Sequence, residues 1–240
     1  MVGAAGSCGT HLPRAARRAP FRARAVVHGP TGRRRVAGLG VHEVSEADLA
    51  DPDAVRQALE NADFVYMIPP AFHPEEDLFT LLTLHAVAPV QLVRAALPGM
   101  LSAEEGAVVT VASLLAFNAG GADPRLPRRT LYLAAEAATL GFTRTLAGEL
   151  AGTPVRVQVV CPGVVATDWN NGAGRDLPWA MSPEDVASAG LAGLRLGEAV
   201  CVPGLEGQAA ALDALLAAGT ALLAGGNRPA LAARYTDSRA

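Results

Sequence analysis

Lysine is absent from this 240-residue chain, so its 20 basic residues are all arginine. With Ala and Gly so abundant, the exclusion reads as the bias of a GC-rich genome. It also rules out any mechanism that needs an ammonium group to lower a neighbour's pKa. Aromatic residues make up only 5% of the chain against 50% apolar residues in all, so the core is built from Ala, Val and Leu. The three cysteines, Cys8, Cys161 and Cys201, are too few and too scattered for a disulfide framework or a zinc site, and a reduced, cytoplasmic compartment is expected. No uninterrupted apolar run reaches the ~18 residues of a membrane span. The net charge of −3 argues against nucleic acid or a membrane as partner.

Acidic residues are missing from the first 42 positions, which hold Arg14, Arg17, Arg18, Arg22, Arg24, Arg33, Arg34 and Arg35; the first acid is Glu43. Targeting peptides share this arginine-rich, acid-free character. Gly3, Gly6 and Gly9 favour a phosphate-binding surface instead. Gly3-Ala-Ala-Gly-Ser-Cys-Gly9 is a G-x-x-G-x-x-G run, in which glycine lets the backbone approach a pyrophosphate at a helix N-terminus. Only Met1 and Val2 precede it, so either the first strand begins upstream or the central strand is much shortened. Pro13 weakens the helix that should follow.

What is present is an alternation of strand-like and helix-like segments. Strands are expected at 23–27, 41–44, 63–68, 107–112, 155–160 and 199–202. Asp51-Pro52 opens a helix reaching Asn61, Ser182-Pro-Glu-Asp185 opens another, and 129–151 is a third. A long apolar helix over 77–97 carries Pro89, which should kink or break it. Residues 118–129 form a loop. Such alternation predicts an α/β, Rossmann-like, doubly wound parallel sheet in a single domain over 1–240, with the first strand truncated. Residues 1–80 are the dinucleotide-binding half, 81–205 the catalytic half, and 206–240 a C-terminal helical tail.

These residues resemble the short-chain dehydrogenase/reductase superfamily. Residues 1–80 look like its NmrA-like branch, through the glycine run, Ala25-Val-Val-His-Gly-Pro30, Ala47-Asp-Leu-Ala-Asp-Pro52 and Ala62-Asp-Phe-Val-Tyr-Met-Ile-Pro-Pro-Ala-Phe72. Residues 81–205 look like the ordinary reductases, through Ala88-Pro-Val-Gln-Leu92, Leu97-Pro-Gly-Met100, Val109-Thr-Val-Ala-Ser113, the Tyr132 helix through Leu140-Gly-Phe-Thr-Arg-Thr145, and Val155 through Thr167. The resemblance implies that Ser113 hydrogen-bonds the substrate oxygen and that Tyr132 exchanges a proton with it. It implies that Pro162, Gly163 and Thr167 cradle the nicotinamide. Cofactor contacts are expected at Gly3, Gly6, Gly9, His28, Arg33, Asp48 and Leu49, and the basic cluster beyond His28 favours NADP over NAD. A small-molecule substrate and a homodimer or homotetramer are implied as well, the helices being able to pack closely at Ala134, Ala135, Ala137 and Ala138.

Three features depart from the family. Glu136 stands where the family keeps a lysine, one turn after Tyr132 on the same helix face. His85 stands where an asparagine often anchors a relay water, although a histidine on an apolar helix usually has a packing role. Ser113 and Tyr132 lie 19 residues apart, more than is usual. A unit charge at 4 Å and an effective dielectric of 20 is worth about 4 kcal/mol, and replacing plus by minus changes the interaction by up to about twice that before screening. Tyr132 is therefore expected to stay protonated, able to donate a proton but a poor base. Glu136 is expected to accept from ribose hydroxyls. Trp169 and Trp179 suit a substrate lid, or core packing for Trp179; His73, Glu75 and Glu76 suit a loop near the substrate mouth. Three functions fit: an impaired or atypical NAD(P)-dependent reductase of a carbonyl/alcohol pair, a redox-silent dinucleotide-binding regulator, and a non-redox cyclase, dehydratase or isomerase using Tyr132, Ser113 and Glu136.

Overall fold

The computed structural model describes residues 2, 9–11, 22–67, 78–117, 129–168, 172 and 174–235. Gly3, Gly6, Cys8, His73, Glu75, Glu76, Trp169, Asn170, Asn171 and the loop at 118–128 lie outside the described residues. The chain divides into two compact units, Met1–Gly204 and Leu205–Ala240.

In the first unit, Val- and Ala-rich segments form parallel strands separated by helices. The order is β1 (Arg24–Val27), α1 (Gly29–Val36), β2 (Glu43–Glu46), α2 (Pro52–Ala58), β3 (Phe64–Met67), α3 (Leu78–Leu82), a π-helical turn (Thr83–Val87), α4 (Ala88–Ser102), β4 (Gly106–Val111), a 3-10 turn (Leu114–Phe117), α5 (Thr130–Glu149), β5 (Val155–Val160), α6 (Pro183–Leu196) and β6 (Val200–Cys201). β1 pairs with β2, and β3-β4-β5-β6 run in spatial order, all parallel. Val2 joins the two groups by bridging Val26 and Met67, its N–H donating to the Tyr66 carbonyl at 2.8 Å. The order β2-β1-Val2-β3-β4-β5-β6 is that of a doubly wound sheet, and among the described residues its central position is held by Val2 alone.

Both faces of the sheet are covered around β4, whose six residues are all buried. Along β4 the side chains alternate. Val108 faces Leu92, Met100 and Val157 on one side, whereas Ala107, Val109 and Val111 face Val186, Leu194 and Cys201 on the other. Helix starts follow local chemistry. The Asp51 carboxylate accepts from the Asp53 and Ala54 amides at 2.9 and 3.2 Å, and Ser182 Oγ accepts from the Asp185 amide at 3.0 Å. Each such cap stabilises its helix by about 1 kcal/mol.

Three expectations need correction. The second strand spans Glu43–Glu46 rather than 41–44, because pairing to β1 brings Arg24 opposite Glu43 and closes an ion pair at 2.8 Å. The long helix runs on to Ser102 and is divided by the π turn that precedes Pro89, where Ala88 N–H reaches back to the Thr83 carbonyl. Trp179 is 70% exposed, so it does not pack in the core.

In the second unit, α7 (Gln208–Gly226) is followed by a 3-10 turn at Ala233–Tyr235. Phe79–Ser102 and α7 are both long and apolar enough, by length and composition, to cross a membrane. Each contains polar residues, which is why neither forms an uninterrupted apolar run. The apolarity of the first is explained by its buried Leu92, Val93, Ala96 and Met100 in the sheet's core.

Candidate active site

Parallel strands end on one edge, and that edge collects the candidate residues. Beyond the last paired residues of β4 and β5, the Ala112 N–H donates to Val160 and the Leu114 N–H to Pro162, both at 2.9 Å. These bonds fix Ser113 beside Pro162. The Leu115 N–H donates to Ser113 Oγ at 3.2 Å, which orients the hydroxyl.

α5 supplies the rest through one buried face. Tyr132, Glu136, Thr139 and Thr143 are all buried, at helical spacings of four, three and four. The Tyr132 hydroxyl is hydrogen-bonded to Ser113 and Glu136, and its ring lies edge-on to His85 with centroids 5.9 Å apart. His85 Nδ1 is 2.8 Å from Glu136 Oε1, both side chains being 2% exposed. The sequence therefore carries Ser113, Tyr132, Glu136 and His85 to one place, in that order.

The surrounding polar groups are locked in turn. In an α-helix the His85 carbonyl would accept from residue 89, but Pro89 has no N–H. Thr139 Oγ1 donates to that carbonyl instead. Thr143 Oγ1 is 2.8 Å from the Thr139 carbonyl and 2.9 Å from Thr110 Oγ1 on β4. Thr110, Thr139 and Thr143 were not singled out from the sequence. The signal for Thr139 and Thr143 was their spacing from Tyr132 along one helix face; Thr110, on β4, had none. Nothing local signals the His85–Glu136 contact, which joins residues 51 apart.

Burial is the main reason the Tyr132 pKa rises well above 10, and the Glu136 charge adds to it; the Ser113 hydrogen bond and the Arg129 charge pull the other way more weakly. Cys161, at the end of β5, is pushed up to about 12 by burial first and the Glu136 carboxylate second. The site is thus a buried acid beside a carboxylate, without a metal-binding group of His, Cys, Asp and Glu among the described residues.

Of the described candidate cofactor residues, His28 follows β1 and Asp48 and Leu49 follow β2 on the same edge. His28 precedes α1, whose N-terminus has no side-chain cap and no acid in its first turn. Arg33 pairs with Glu46 at 2.7 Å, with both side chains more than a third exposed. Asp48 Oδ1 accepts from the Ala50 amide at 2.9 Å, and Leu49 packs against the core. A side chain at Gly163 would meet only Leu114, at 3.9 Å, so the position opens onto free space. Thr167 and Gly9 are buried.

Residues 59–177 match the family model for short chain dehydrogenases. Carbonyl reductase family member 4 of Xenopus laevis is 31% identical over 110 residues, which cover 45% of this chain and 43% of that protein. Dehydrogenase/reductase SDR family member 4 of Homo sapiens is 30% identical over 148 residues, 62% of this chain and 50% of its own. The chain thus spans about half the length of these relatives. The structure of a short-chain dehydrogenase from Sphingobium yanoikuyae in complex with NADPH superposes with a TM-score of 0.78 at 27% identity, over 98% of each chain.

Proposed function

The chain belongs to the short-chain dehydrogenase/reductase superfamily, and from that premise we propose that it catalyses NADP-dependent reduction of a small-molecule carbonyl to an alcohol. The observation that carries this reading is a buried tyrosine hydroxyl, bonded to Ser113 at the C-terminal edge of the sheet and held in its protonated form. A group in that state is an acid. Ser113 and Tyr132 would hold the substrate oxygen between them, and Tyr132 would protonate it as negative charge develops there.

The residues present fit a dinucleotide phosphate. The His28 imidazole and the amides that no side chain caps lie at the start of α1, and the exposed guanidinium groups of Arg33, Arg34 and Arg35 lie in its last turn; each is a donor suited to phosphate oxygens. The Arg33–Glu46 pair is exposed, and such pairs are worth about 0–1 kcal/mol, so a phosphate competes for Arg33 at small cost. Gly163, exposed beside the buried Pro162, leaves open backbone near Ser113. Bound NADPH supplies the hydride. Asp48 and Leu49 would border the adenine, and Thr167 the nicotinamide.

Glu136 occupies the family's lysine position in this reading. It is engaged by Tyr132 and His85, which leaves it poorly placed to serve ribose hydroxyls. The reading therefore includes atypical chemistry: slow turnover, with Tyr132 acting as acid rather than base. The NmrA-like character of the first third would account for its basic α1 and for the Asp48 and Asp51 turns. A homodimer or homotetramer is expected, and Leu131, Ala134 and Ala138 form an exposed strip of α5 suited to helix packing.

One observation favours a second reading. A tyrosine donating to a buried carboxylate is an acid and a base in contact, which would serve a non-redox isomerase, dehydratase or cyclase. A single experiment separates the two. NADPH and NADH are titrated by protein fluorescence, and consumption of NADPH is then followed with a panel of aldehydes and ketones. Tighter binding of NADPH together with carbonyl-dependent consumption supports the first reading. Absence of binding refutes it, and product formation without any nucleotide supports the second.

A further inference from the structure

We propose that α7 (Gln208–Gly226) is a seam between two copies of this chain, whose α7 helices pair antiparallel about a two-fold axis at the level of Ala217. The proposal is independent of the reaction above and adds a second contact to the α5 strip expected there.

The need for a partner follows from exposure. α7 has no buried residue. Leu212 is half-buried, Leu215 and Leu216 are exposed, and Leu222 and Leu223 are each 77% exposed. Asp213 is the helix's one charged residue. A helix this apolar is covered in the working protein, either by protein or by lipid.

The period of the sequence favours protein. Leu212, Leu215, Gly219, Leu222 and Gly226 follow one another at alternating intervals of three and four, the spacing of a seam between two helices. The remaining leucines of α7, Leu216 and Leu223, border that seam. Asp213, Thr220 and the C-cap residue Asn227 recur every seven residues and turn outward. A straight helix drifts by ~20° per seven residues, so a strict seven-residue pattern keeps one face toward a partner helix. A bilayer asks only that every side be apolar and sets no such period. It also disfavours Asp213, because a carboxylate near the middle of a span cancels about what five leucines contribute.

A mirror symmetry in the seam identifies the partner as a second α7. Leu215 and Gly219 stand two residues on either side of Ala217, Leu212 and Leu222 five, Gln208 and Gly226 nine, and Glu206 and Arg228 eleven. In an antiparallel pair centred there, Leu215 meets the partner's Gly219, Leu212 meets the partner's Leu222, and Gln208 meets the partner's Gly226. A side chain at Gly219 or Gly226 would meet nothing within 4 Å in the single chain, so both positions leave room for a partner's side chain. Just outside the helix ends, the exposed Glu206 meets the partner's Arg228, also exposed. A parallel pair would set glycine on glycine, glutamate on glutamate and arginine on arginine.

The area sets the size of the assembly. One face of α7 is about 28 Å long and about 10 Å wide, on the order of 300 Å². A standard stable interface buries about 800 Å² a side. The α7 seam therefore works together with another contact. A two-fold axis through α7 and a second through the α5 strip close a tetramer of dihedral symmetry.

The test is the mass of the full chain in solution, by sedimentation and light scattering. The unmodified protein should be a tetramer, and Leu222→Glu and Gly219→Leu should each halve its mass. Glutamate and leucine are both good helix formers, so α7 itself survives, which circular dichroism checks. Ala217→Glu puts the same charge on the outward side and should leave the mass unchanged. The register is read from charge: at low salt Glu206→Arg should weaken association several-fold, and adding Arg228→Glu should restore it. A dimer that the seam variants convert to monomer keeps the α7 seam and removes the α5 contact. A monomeric unmodified protein, or an unchanged mass in both seam variants, overturns the proposal. So does flotation of the unmodified protein with phosphatidylcholine vesicles, which would assign α7 to lipid. An unchanged association in Glu206→Arg, or no rescue by the second substitution, overturns the antiparallel register.

Discussion

The two halves of the sheet solve the same problem with very different amounts of interlocking. β4 and β5 are six residues long and almost fully buried, and beside them Thr110, Thr143, Thr139, His85, Glu136, Tyr132 and Ser113 form a connected set of polar contacts from β4, α5 and the π turn. β1, β2 and β3 are four residues each, and among the described residues Val2 alone joins β1 to β3. The charged groups of that half, Arg24, Arg33, Glu43 and Glu46, pair at the surface. In one half a connected set of polar contacts is buried; in the other the ion pair of Arg33 with Glu46 is exposed and exchangeable at small cost. In the function proposed above, the first half would hold the chemistry and the second the cofactor.

The strongest way to break this contrast is Glu136→Lys. If the network is interlocked, the substitution places a cation against His85 and removes the only carboxylate in the cluster. Breaking a buried pair in this way should cost about 3–5 kcal/mol in urea unfolding, and adding His85→Asn should recover part of the loss. A fully stable single variant would show that Glu136 has room to turn away.

Alkaline pH probes the same half. The ordinary thiol value of 9.0 rises to about 12 at Cys161, and Tyr132 is raised above its ordinary 10.0. Both folded values are raised, so the folded protein keeps protons that the unfolded chain releases. Stability from these groups is complete below pH 9 and is lost as pH climbs toward 12. Urea midpoints should fall across that window, and Cys161→Ala should flatten the fall; a constant midpoint would contradict the burial of both groups.

Thr143→Val sharpens the contrast further by removing a hydroxyl that serves both the Thr139 carbonyl and Thr110 Oγ1. Leaving buried polar atoms unsatisfied should cost about 1–3 kcal/mol. The smallest stability effect belongs to the other half. Arg33→Ala removes an exposed ion pair and should change stability by less than about 1 kcal/mol. The same variant should weaken NADPH binding more than NADH binding, which a fluorescence titration measures directly.

The contrast also governs what the sequence disclosed. β5 was legible to the residue because Val155-Arg-Val-Gln-Val-Val160 is rich in β-branched residues with its valines on alternate positions, and α6 because Ser182-Pro183 caps and starts a helix through contacts within four residues. The Pro89 break was legible from the missing N–H. β2 was misplaced because Glu43-Val-Ser-Glu46 has no apolar alternation; its register is set by β1, through Arg24 and Glu43. In the site, the Tyr132–Glu136 pair followed from helical spacing. The contact of Glu136 with His85 did not, because it depends on how the π turn and α3 pack against α5, and no local pattern encodes that packing. Thr139 and Thr143 were visible as part of the same helix stripe but carried no chemical signature of their own.

The account turns on Tyr132 serving as a proton donor although its nearest charged partner is an anion. The most direct measurement is NADPH consumption at pH 7 with a panel of aldehydes and ketones, comparing the unmodified protein with Tyr132→Phe. General acid catalysis contributes roughly 10²–10⁴-fold, so consumption should fall by at least the lower figure while NADPH affinity is unchanged. Equal consumption by the two proteins, or none by the unmodified one, would contradict the account.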